Sequence, residues 1–137
     1  MPKRIIFDTD PGIDDACAIL LALASPEVSV EGLSVVHGNC SLEQAARNAL
    51  SILELANAAH NPVAKGCELP LVQPSLLAPE THGDTGLGYA KLPSHHTGPV
   101  AQHAIDFLIE KILASPGGIT LLAIGPLTNV ALAIRQV

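Results

Sequence analysis

The sequence predicts an α/β fold in which helices cover both faces of a mostly parallel, Rossmann-like sheet. Short apolar runs at residues 5–7 and 119–124 are typical of buried strands, and residues 28–36 have a further strand pattern. Helical patterns alternate with these runs, and such strands pair in parallel through right-handed crossovers. The 137 residues, 48% of them hydrophobic, are enough for one core, so we expect residues 1–137 to lie within a single domain.

The first helix is expected directly after the first strand. Residues 14–24 are apolar on most faces, carry acids in the first turn, where they favour the helix dipole, and stop before Pro26. The second strand, at 28–36, then ends in a turn that contains Gly38 and Asn39. The chain therefore begins with a strand, a helix and a second strand.

The middle of the chain contains one further helix and a long loop. Ser41 and Gln44 have the spacing of a capping box, which predicts a helix that runs to about residue 60. A short extended piece at 62–65 follows. Residues 66–99 are rich in Pro, Gly, Ser, Thr and His, and a loop of this length inside a compact domain is more often functional than not.

The last third returns to regular structure. Pro99 can serve as the first residue of a helix that extends to residue 114, where a Ser-Pro-Gly-Gly segment stops it. The strand at 119–124 follows. Gly125 and Pro126 then turn the chain into an apolar helix at 127–137.

Composition limits the kinds of partner. The formal net charge is −6, and the seven basic residues form no run, which argues against binding to nucleic acid or to an anionic membrane surface. A small neutral or metal-associated ligand fits better. The first apolar stretch is too short for a signal peptide, and no run reaches the roughly 18 apolar residues of a membrane helix. We therefore expect a soluble, cytoplasmic protein.

The most informative segment is an acidic turn that joins the first strand to the first helix. It places Asp8, Asp10, Asp14 and Asp15 within eight residues, and this charge is self-repelling unless a cation sits among it. Oxygen ligands of this kind suit Ca²⁺ or Mg²⁺ rather than zinc. The alternative is that Asp14 and Asp15 cap the helix while the other two make turn hydrogen bonds. The spacing is not that of an EF-hand, and neither a P-loop nor a Gly-x-Gly-x-x-Gly fingerprint is present.

Two further strand ends carry candidate ligand-binding residues. In parallel α/β sheets, ligands bind outside the carboxyl ends of the strands. The acidic turn should therefore meet the segments at 37–39 and 124–129 in one crevice.

These segments together resemble a known family. Residues 8–16 read DTDPGIDDA, residues 35–39 VVHGN, residues 81–88 THGDTGLG and residues 124–129 IGPLTN. The first segment resembles the signature of the nucleoside hydrolases, the inosine-uridine-preferring N-ribohydrolase family, and the others agree with it in the same order. The resemblance implies a nucleoside-hydrolase-like α/β fold and hydrolysis of the N-glycosidic bond of a ribonucleoside to ribose and free base.

The resemblance also implies roles for individual residues. Asp10 and Asp15 would bind Ca²⁺ with help from the backbone carbonyl of Ile124, and Asp10 would take the proton from a calcium-bound water. Asp14 and Asn39 would hold the 2′- and 3′-hydroxyls of the ribose. Carboxylates beneath a sugar ring favour the oxocarbenium-like state through which such bonds break.

Three other residues have supporting or alternative roles. Asp8 would support the site without touching the substrate. His82, in the glycine-rich part of the long loop, faces the base pocket by family analogy or is otherwise a surface histidine. Asn129 is expected to cap or pack the last helix rather than to contact substrate.

The chain lacks part of the family pattern. Family members continue beyond this length, and their later half carries another aspartate ligand, preceded by a histidine, with further substrate contacts. The resemblance therefore implies that residues 1–137 are the N-terminal part of a single, apparently truncated nucleoside hydrolase domain, a homo-oligomer when full length. We expect this part alone to bind Ca²⁺ weakly and to show little turnover.

Two other classes of function fit part of the pattern. A haloacid-dehalogenase-like phosphatase places an Asp-x-Asp after its first strand, with the first aspartate, here Asp8, as nucleophile and Mg²⁺ as partner. Gly12 stands where that family usually has Thr or Val, and Asp14 and Asp15 have no counterpart there. The other alternative is a non-catalytic module that binds ribose or Ca²⁺.

Overall fold

The computed structural model describes all 137 residues as a layered α/β fold. Its strands are β1 Lys3–Thr9, β2 Val28–Val35, β3 Val63–Lys65 and β4 Ile119–Ala123. Its helices are α1 Ile13–Ala24, α2 Leu42–Leu55, α3 Pro79–His82, α4 Ala104–Leu113 and α5 Thr128–Gln136. None of these helices has the length and hydrophobicity needed to cross a lipid bilayer.

The four strands form one parallel sheet in the order β3-β2-β1-β4. The chain adds β2 and β3 on one side of β1 and then places β4 on the other side. The order therefore reverses between β1 and β4, and in such sheets the crevice at the carboxyl ends of these two strands is the usual ligand site. The predicted fold class is confirmed.

The core lies in two layers because successive side chains of a strand point to opposite faces. Ile5 and Phe7 belong to the larger cluster, which contains buried residues of α1 and α2. Ile6, between them, packs against Phe107 and Leu108 of α4 on the other face. The prediction of helices on both faces is therefore correct.

Two helix boundaries differ from the prediction. Helix α2 ends at Leu55 rather than near residue 60, and Asn57 just beyond it adopts a left-handed backbone conformation with φ 54°. Helix α4 begins at Ala104 rather than at Pro99. Before α4, Val100 forms an isolated bridge to Ala64 and the chain bends at residues 101–102. The Nδ1 atom of His103 then caps the helix at 3.3 Å from the Ile105 N–H.

The start of α2 follows the predicted capping signal in part. The Ser41 hydroxyl accepts a hydrogen bond from the Gln44 N–H at 3.3 Å, as the spacing indicated. The Gln44 side chain does not return to the Ser41 backbone. It donates instead to the side chain of Asn48, at 2.9 Å.

One side of the molecule has exposed apolar surface between α4, α5 and β4. We call it the apolar groove; its cavity measures about 170 Å³. It is lined by Leu108, Ile109, Ile112, Leu113, Leu121, Val130, Ala133, Ile134 and Val137. Strand β4 lies at the edge of the sheet, beside this groove, and pairs only with β1.

Candidate functional site

Asp10 lies where the turns after β1 and β2 meet. It is 5% exposed, and its Oδ2 atom accepts a hydrogen bond from the Asn39 N–H at 2.7 Å. The Asn39 side-chain amide also donates to the Asp10 carbonyl oxygen, at 3.0 Å. The predicted meeting of these two segments is therefore present, and Asn39 fixes the Asp10 backbone as well as its carboxylate.

Two glycines leave room for the Asp10 carboxylate. A Cβ atom on Gly38 would overlap Oδ2, and a Cβ atom on Gly125 would lie 2.8 Å from Oδ1. Gly125 follows Ile124, whose N–H donates to the Asp8 carbonyl oxygen at 2.9 Å. The segment after β4 is therefore the third wall of the crevice, which confirms the predicted convergence, and Ile124 borders the site.

Asp15 lies in the first turn of α1 and is buried. Its Oδ1 atom accepts from the Thr9 hydroxyl at 2.6 Å, and its Oδ2 atom accepts from the Gly12 N–H at 3.1 Å and from the Asn39 amide at 3.3 Å. The capping alternative is thus correct for Asp15, which satisfies a backbone donor at the helix start. Asp14, one residue earlier, is exposed.

The electrostatics of the site are unfavourable for the charge on Asp10. Burial raises the pKa of Asp10 to about 7, the negative charges of Asp15 and Asp14 act in the same direction, and the Asn39 N–H opposes them. No basic side chain pairs with this group. The ion pairs of the chain lie elsewhere and join Arg4 to Glu31, Lys65 to Glu43 and His96 to Glu54. The carboxylate is therefore buried without a counter-ion.

Asp8 is fully buried near the carboxyl end of β1, which is an inner strand of the sheet. Its Oδ1 atom accepts from the Ser34 hydroxyl at 2.5 Å and from the Asn129 amide at 2.9 Å, while Oδ2 has no partner. Burial raises the pKa of this carboxyl group. A nucleophile has to reach its substrate, so this position contradicts the phosphatase alternative, which needs Asp8 accessible.

Asn129 packs the last helix into the sheet, as expected, and does more than that. It is fully buried, its amide nitrogen also donates to the Val35 carbonyl at 3.1 Å, and its Oδ1 atom accepts from the Cys67 N–H at 2.8 Å. One side chain therefore links α5 to the ends of β1 and β2 and to the segment after β3.

His82 is half-buried against the acidic turn and is not a free surface histidine. Its Nδ1 atom accepts a hydrogen bond from the Ile13 N–H at 3.2 Å, and a Cβ atom on Gly12 would lie 2.7 Å from that nitrogen. An accepting Nδ1 places the ring proton on Nε2. The structure brings His82 to the start of α1, and its predicted contact with the base stays a prediction.

Three polar residues of the site were not predicted from the sequence. Thr9 holds Asp15, Ser34 holds Asp8, and Asn48 is buried on α2 with hydrogen bonds to two loops. The available signal was polarity in an apolar context. Ser34 interrupts an apolar strand, and Asn48 lies on the buried side of α2.

The site offers the type of donor atom that a hard divalent cation prefers, but it offers too few carboxylate ligands for a complete cation site. Asp10, Asp15 and the Ile124 carbonyl would offer only oxygen, which Ca²⁺ and Mg²⁺ prefer, and Asp10 lacks a positive partner. Nowhere in the chain do three His, Cys, Asp or Glu side chains converge as a metal site needs.

A parallel sheet with an acidic, oxygen-lined crevice at its carboxyl end has the architecture in which α/β proteins usually bind their ligands. Comparison with known proteins makes the class specific. Residues 5–137 match the family model described as inosine-uridine preferring nucleoside hydrolase. The chain therefore belongs to the nucleoside hydrolase family.

Individual relatives agree over nearly the whole chain. The chain is 46% identical to a probable uridine nucleosidase 2 of Arabidopsis thaliana, covering 97% of this chain and 42% of the relative. It is 40% identical to the inosine-uridine preferring nucleoside hydrolase of Crithidia fasciculata, covering 98% and 44%. This chain spans less than half the length of these relatives.

Solved structures show the same backbone. A plant nucleoside hydrolase, PpNRh1, is 42% identical with a TM-score of 0.94, covering 100% of this chain and 44% of that structure. A purine-preferring ribonucleoside hydrolase from Gardnerella vaginalis is 33% identical with a TM-score of 0.92, covering 98% and 44%. The four-stranded sheet with its helices therefore occurs in the same form inside chains more than twice as long.

Proposed function

We propose that this protein takes part in the hydrolysis of the N-glycosidic bond of ribonucleosides, which gives ribose and a free base. The carrying observation is Asp10, a buried carboxylate without a basic partner at the meeting point of three strand ends. Family membership supports the reaction class.

We propose that this chain recognises the ribose part of its substrate. The relatives are named for uridine, for inosine with uridine, and for purine nucleosides, so their bases differ while the ribonucleoside is common to them. Asn39 uses its amide hydrogens within the chain, on Asp10 and Asp15, and its Oδ1 atom accepts no hydrogen bond there. We assign this oxygen and the exposed carboxylate of Asp14 to the ribose hydroxyls.

We assign Asp10, Asp15 and the Ile124 carbonyl to the binding of Ca²⁺. When bound, the cation supplies a positive charge that makes a nearby water more acidic. The hydrogen bonds from Thr9 and Gly12 fix the orientation of Asp15, and the Asn39 N–H fixes Asp10. The chain therefore holds both carboxylates in place before any ligand arrives.

Asp10 acts as the general base in this proposal. Burial raises the pKa of Asp10 to about 7 in the cation-free chain, and a bound cation would lower that pKa and favour the ionised form that accepts a proton. Asp14 contributes negative charge beside a ring that becomes positive as the bond to the base breaks.

The proposal is tested in a chimera, because this chain covers 44% of the Crithidia fasciculata enzyme. Residues 1–137 replace the matching segment of that enzyme, and ribose release from uridine and inosine is measured with added Ca²⁺. We expect the chimera to be active and its Asp10→Asn variant to lose activity by about a hundredfold to ten-thousandfold, since a positioned general base contributes about 10²–10⁴.

The matched control is Glu27→Gln, which removes an exposed carboxylate directly before β2, at the opposite end of the sheet from the site. It should leave the chimera's rate unchanged. Near-normal rates in a folded Asp10→Asn chimera would contradict the role of Asp10.

Residues 1–137 alone should release little or no ribose because only two carboxylates converge, and robust release would contradict that expectation.

A further inference from the structure

The long loop contains a glycine-rich loop, residues 83–88, that follows His82 directly. Gly83, Gly86 and Gly88 have φ values of 73°, 82° and 60°, so its path depends on backbone conformations that favour glycine. Its last N–H, of Gly88, donates to the His82 carbonyl at 2.7 Å and closes the loop on itself. This closed loop needs an anchor to hold it against the acidic turn.

Asn48 of α2 provides that anchor. It is 4% exposed, and its Nδ2 atom donates to the Thr85 carbonyl at 2.8 Å and to the Pro11 carbonyl at 3.1 Å. One carbonyl belongs to the glycine-rich loop and the other to the acidic turn. Neither oxygen accepts another hydrogen bond from the chain, so one amide group joins the two segments.

The orientation of this amide is also fixed. The Oδ1 atom of Asn48 accepts from the Gln44 side chain at 2.9 Å, which leaves both Nδ2 hydrogens for the two carbonyls. The whole hydrogen-bonding capacity of the donor group is used. A side chain that only filled space would need none of these contacts.

The glycine-rich loop packs tightly on the same spot. A Cβ atom on Gly86 would lie 3.1 Å from the Nδ2 atom of Asn48, 3.2 Å from the Cys40 Sγ atom and 3.3 Å from the Pro11 carbonyl oxygen. The loop backbone can therefore reach Asn48 only because residue 86 has no side chain.

We propose that Asn48 is a positioning residue that holds the glycine-rich loop, and through it His82, against the acidic turn of the active site. His82 reaches that turn by accepting the Ile13 N–H. Without the Asn48 amide, the loop loses its link to Pro11 and His82 loses its fixed place. Any effect on nucleoside binding rests on the proposed function, whereas the positioning of His82 does not.

The test uses nuclear magnetic resonance on the ¹⁵N-labelled chain, so it needs no enzymatic activity. In the unmodified protein, His82 should show an unprotonated Nδ1 and a protonated Nε2, and the Ile13 amide should exchange slowly. Asn48→Leu keeps the branched shape and the number of heavy atoms of the side chain but removes its donors. We expect its Ile13 amide to exchange at least about tenfold faster, the factor for losing one such contact, and its His82 to become a mixture of tautomers.

Gly86→Ala approaches the same contact from the loop side. Its new methyl group should push the loop from Asn48 and produce the same two changes at Ile13 and His82. Residue 86 is buried but lies outside the strands and helices, so this variant leaves their side chains unchanged and decides the question if Asn48→Leu fails to fold.

The matched control is Asn61→Leu. Asn61 is also buried, and its Nδ2 atom donates to the Ala58 carbonyl at 3.1 Å, far in sequence from the glycine-rich loop. It should leave the His82 signals unchanged. Wild-type signals in both Asn48→Leu and Gly86→Ala, or identical changes in Asn61→Leu, would overturn the proposal.

Discussion

Asp10 shows how a single residue can be both costly and useful. Its carboxylate is buried, its neighbours Asp14 and Asp15 are negative, and no basic group compensates it. A buried charge without a partner lowers stability unless it is neutralised by a proton or a cation. The cation-free protein is therefore least stable when Asp10 is ionised, which is the state that the proposed chemistry requires.

This cost predicts a pH dependence for the cation-free protein. The pKa of Asp10 rises from its ordinary 3.8 to about 7 on folding, so between these values the folded state binds more protons than the unfolded state. Asp10 makes its full contribution to stability below the pKa that it has in the unfolded state. This contribution is lost as the pH rises through the pKa that it has in the folded state. Asp10→Asn stays neutral and should escape this loss.

Thermal unfolding in the presence of a chelator measures the effect. Relative to wild type, Asp10→Asn should gain stability from about pH 4 to about pH 8. The exposed Asp84→Asn should run parallel to wild type. Added Ca²⁺ should raise the melting temperature of wild type more than that of Asp10→Asn. Parallel curves for wild type and Asp10→Asn would contradict the buried-charge argument.

Residues of the site could be predicted where the information is local. Asp10 and Asn39 stand in short motifs directly after strands, and their meeting follows from a parallel sheet. The roles of Ser34 and Asn48 were not predicted, because polarity in an apolar context marks them only as unusual, while their partners lie 26 and 37 residues away. Asn129 was expected to pack its helix, but its link to Asp8 spans 121 residues.

At the scale of elements, the site depends on how closely three strand ends approach. Gly38, after β2, and Gly125, after β4, allow backbone to lie directly against the Asp10 carboxylate. Larger residues there would separate the elements that form the crevice. The two glycines thus act on the geometry of the site by allowing the backbone to approach the Asp10 carboxylate.

Gly38→Ala tests this close approach. The new methyl group would overlap Oδ2 of Asp10, so the carboxylate or the turn has to move, and overpacking of this kind costs about 1–3 kcal/mol. The matched control is Gly98→Ala, at a position with nothing within 4 Å, which should change stability by less than about 0.5 kcal/mol. Denaturant unfolding measures the stability of both variants, and an equal loss of stability in the two would contradict close packing of Gly38 against Asp10.

Element types were predictable and some element ends were not. Apolar patterns correctly predicted strands β1, β2 and β4 and the four longer helices, because burial leaves a periodic pattern in the sequence. Strand β3 was expected only as a short extended piece, and β4 was expected to be buried but is half-buried or exposed, because it lies at the edge of the sheet. Helix α2 ends before Asn57, which has a left-handed backbone conformation. Helix α4 begins later than predicted, after Val100 has formed a bridge to Ala64 of β3. Neither a left-handed asparagine nor a distant bridge leaves a periodic signal.

At the scale of the whole molecule, charge and apolar surface are separated. The acidic site lies at the carboxyl edge of the sheet, whereas the apolar groove lies on the side formed by α4, α5 and β4. From residue 112 to residue 137 the only charged side chain is Arg135, so none of the chain's 13 acids lies in that segment. The net charge of −6 therefore offers little repulsion where the apolar surface is exposed.

This separation predicts self-association through the apolar groove. Ile134 lines the groove and is 68% exposed, so Ile134→Lys places a charge where another apolar surface would pack. Leu21→Lys makes the same change on α1, at a side chain that is 73% exposed but outside the groove. Sedimentation velocity over a range of concentrations should show wild type and Leu21→Lys associating, and Ile134→Lys shifted toward the 14.1 kDa monomer. If wild type stays monomeric throughout, or if both lysine variants behave alike, the groove is not the contact.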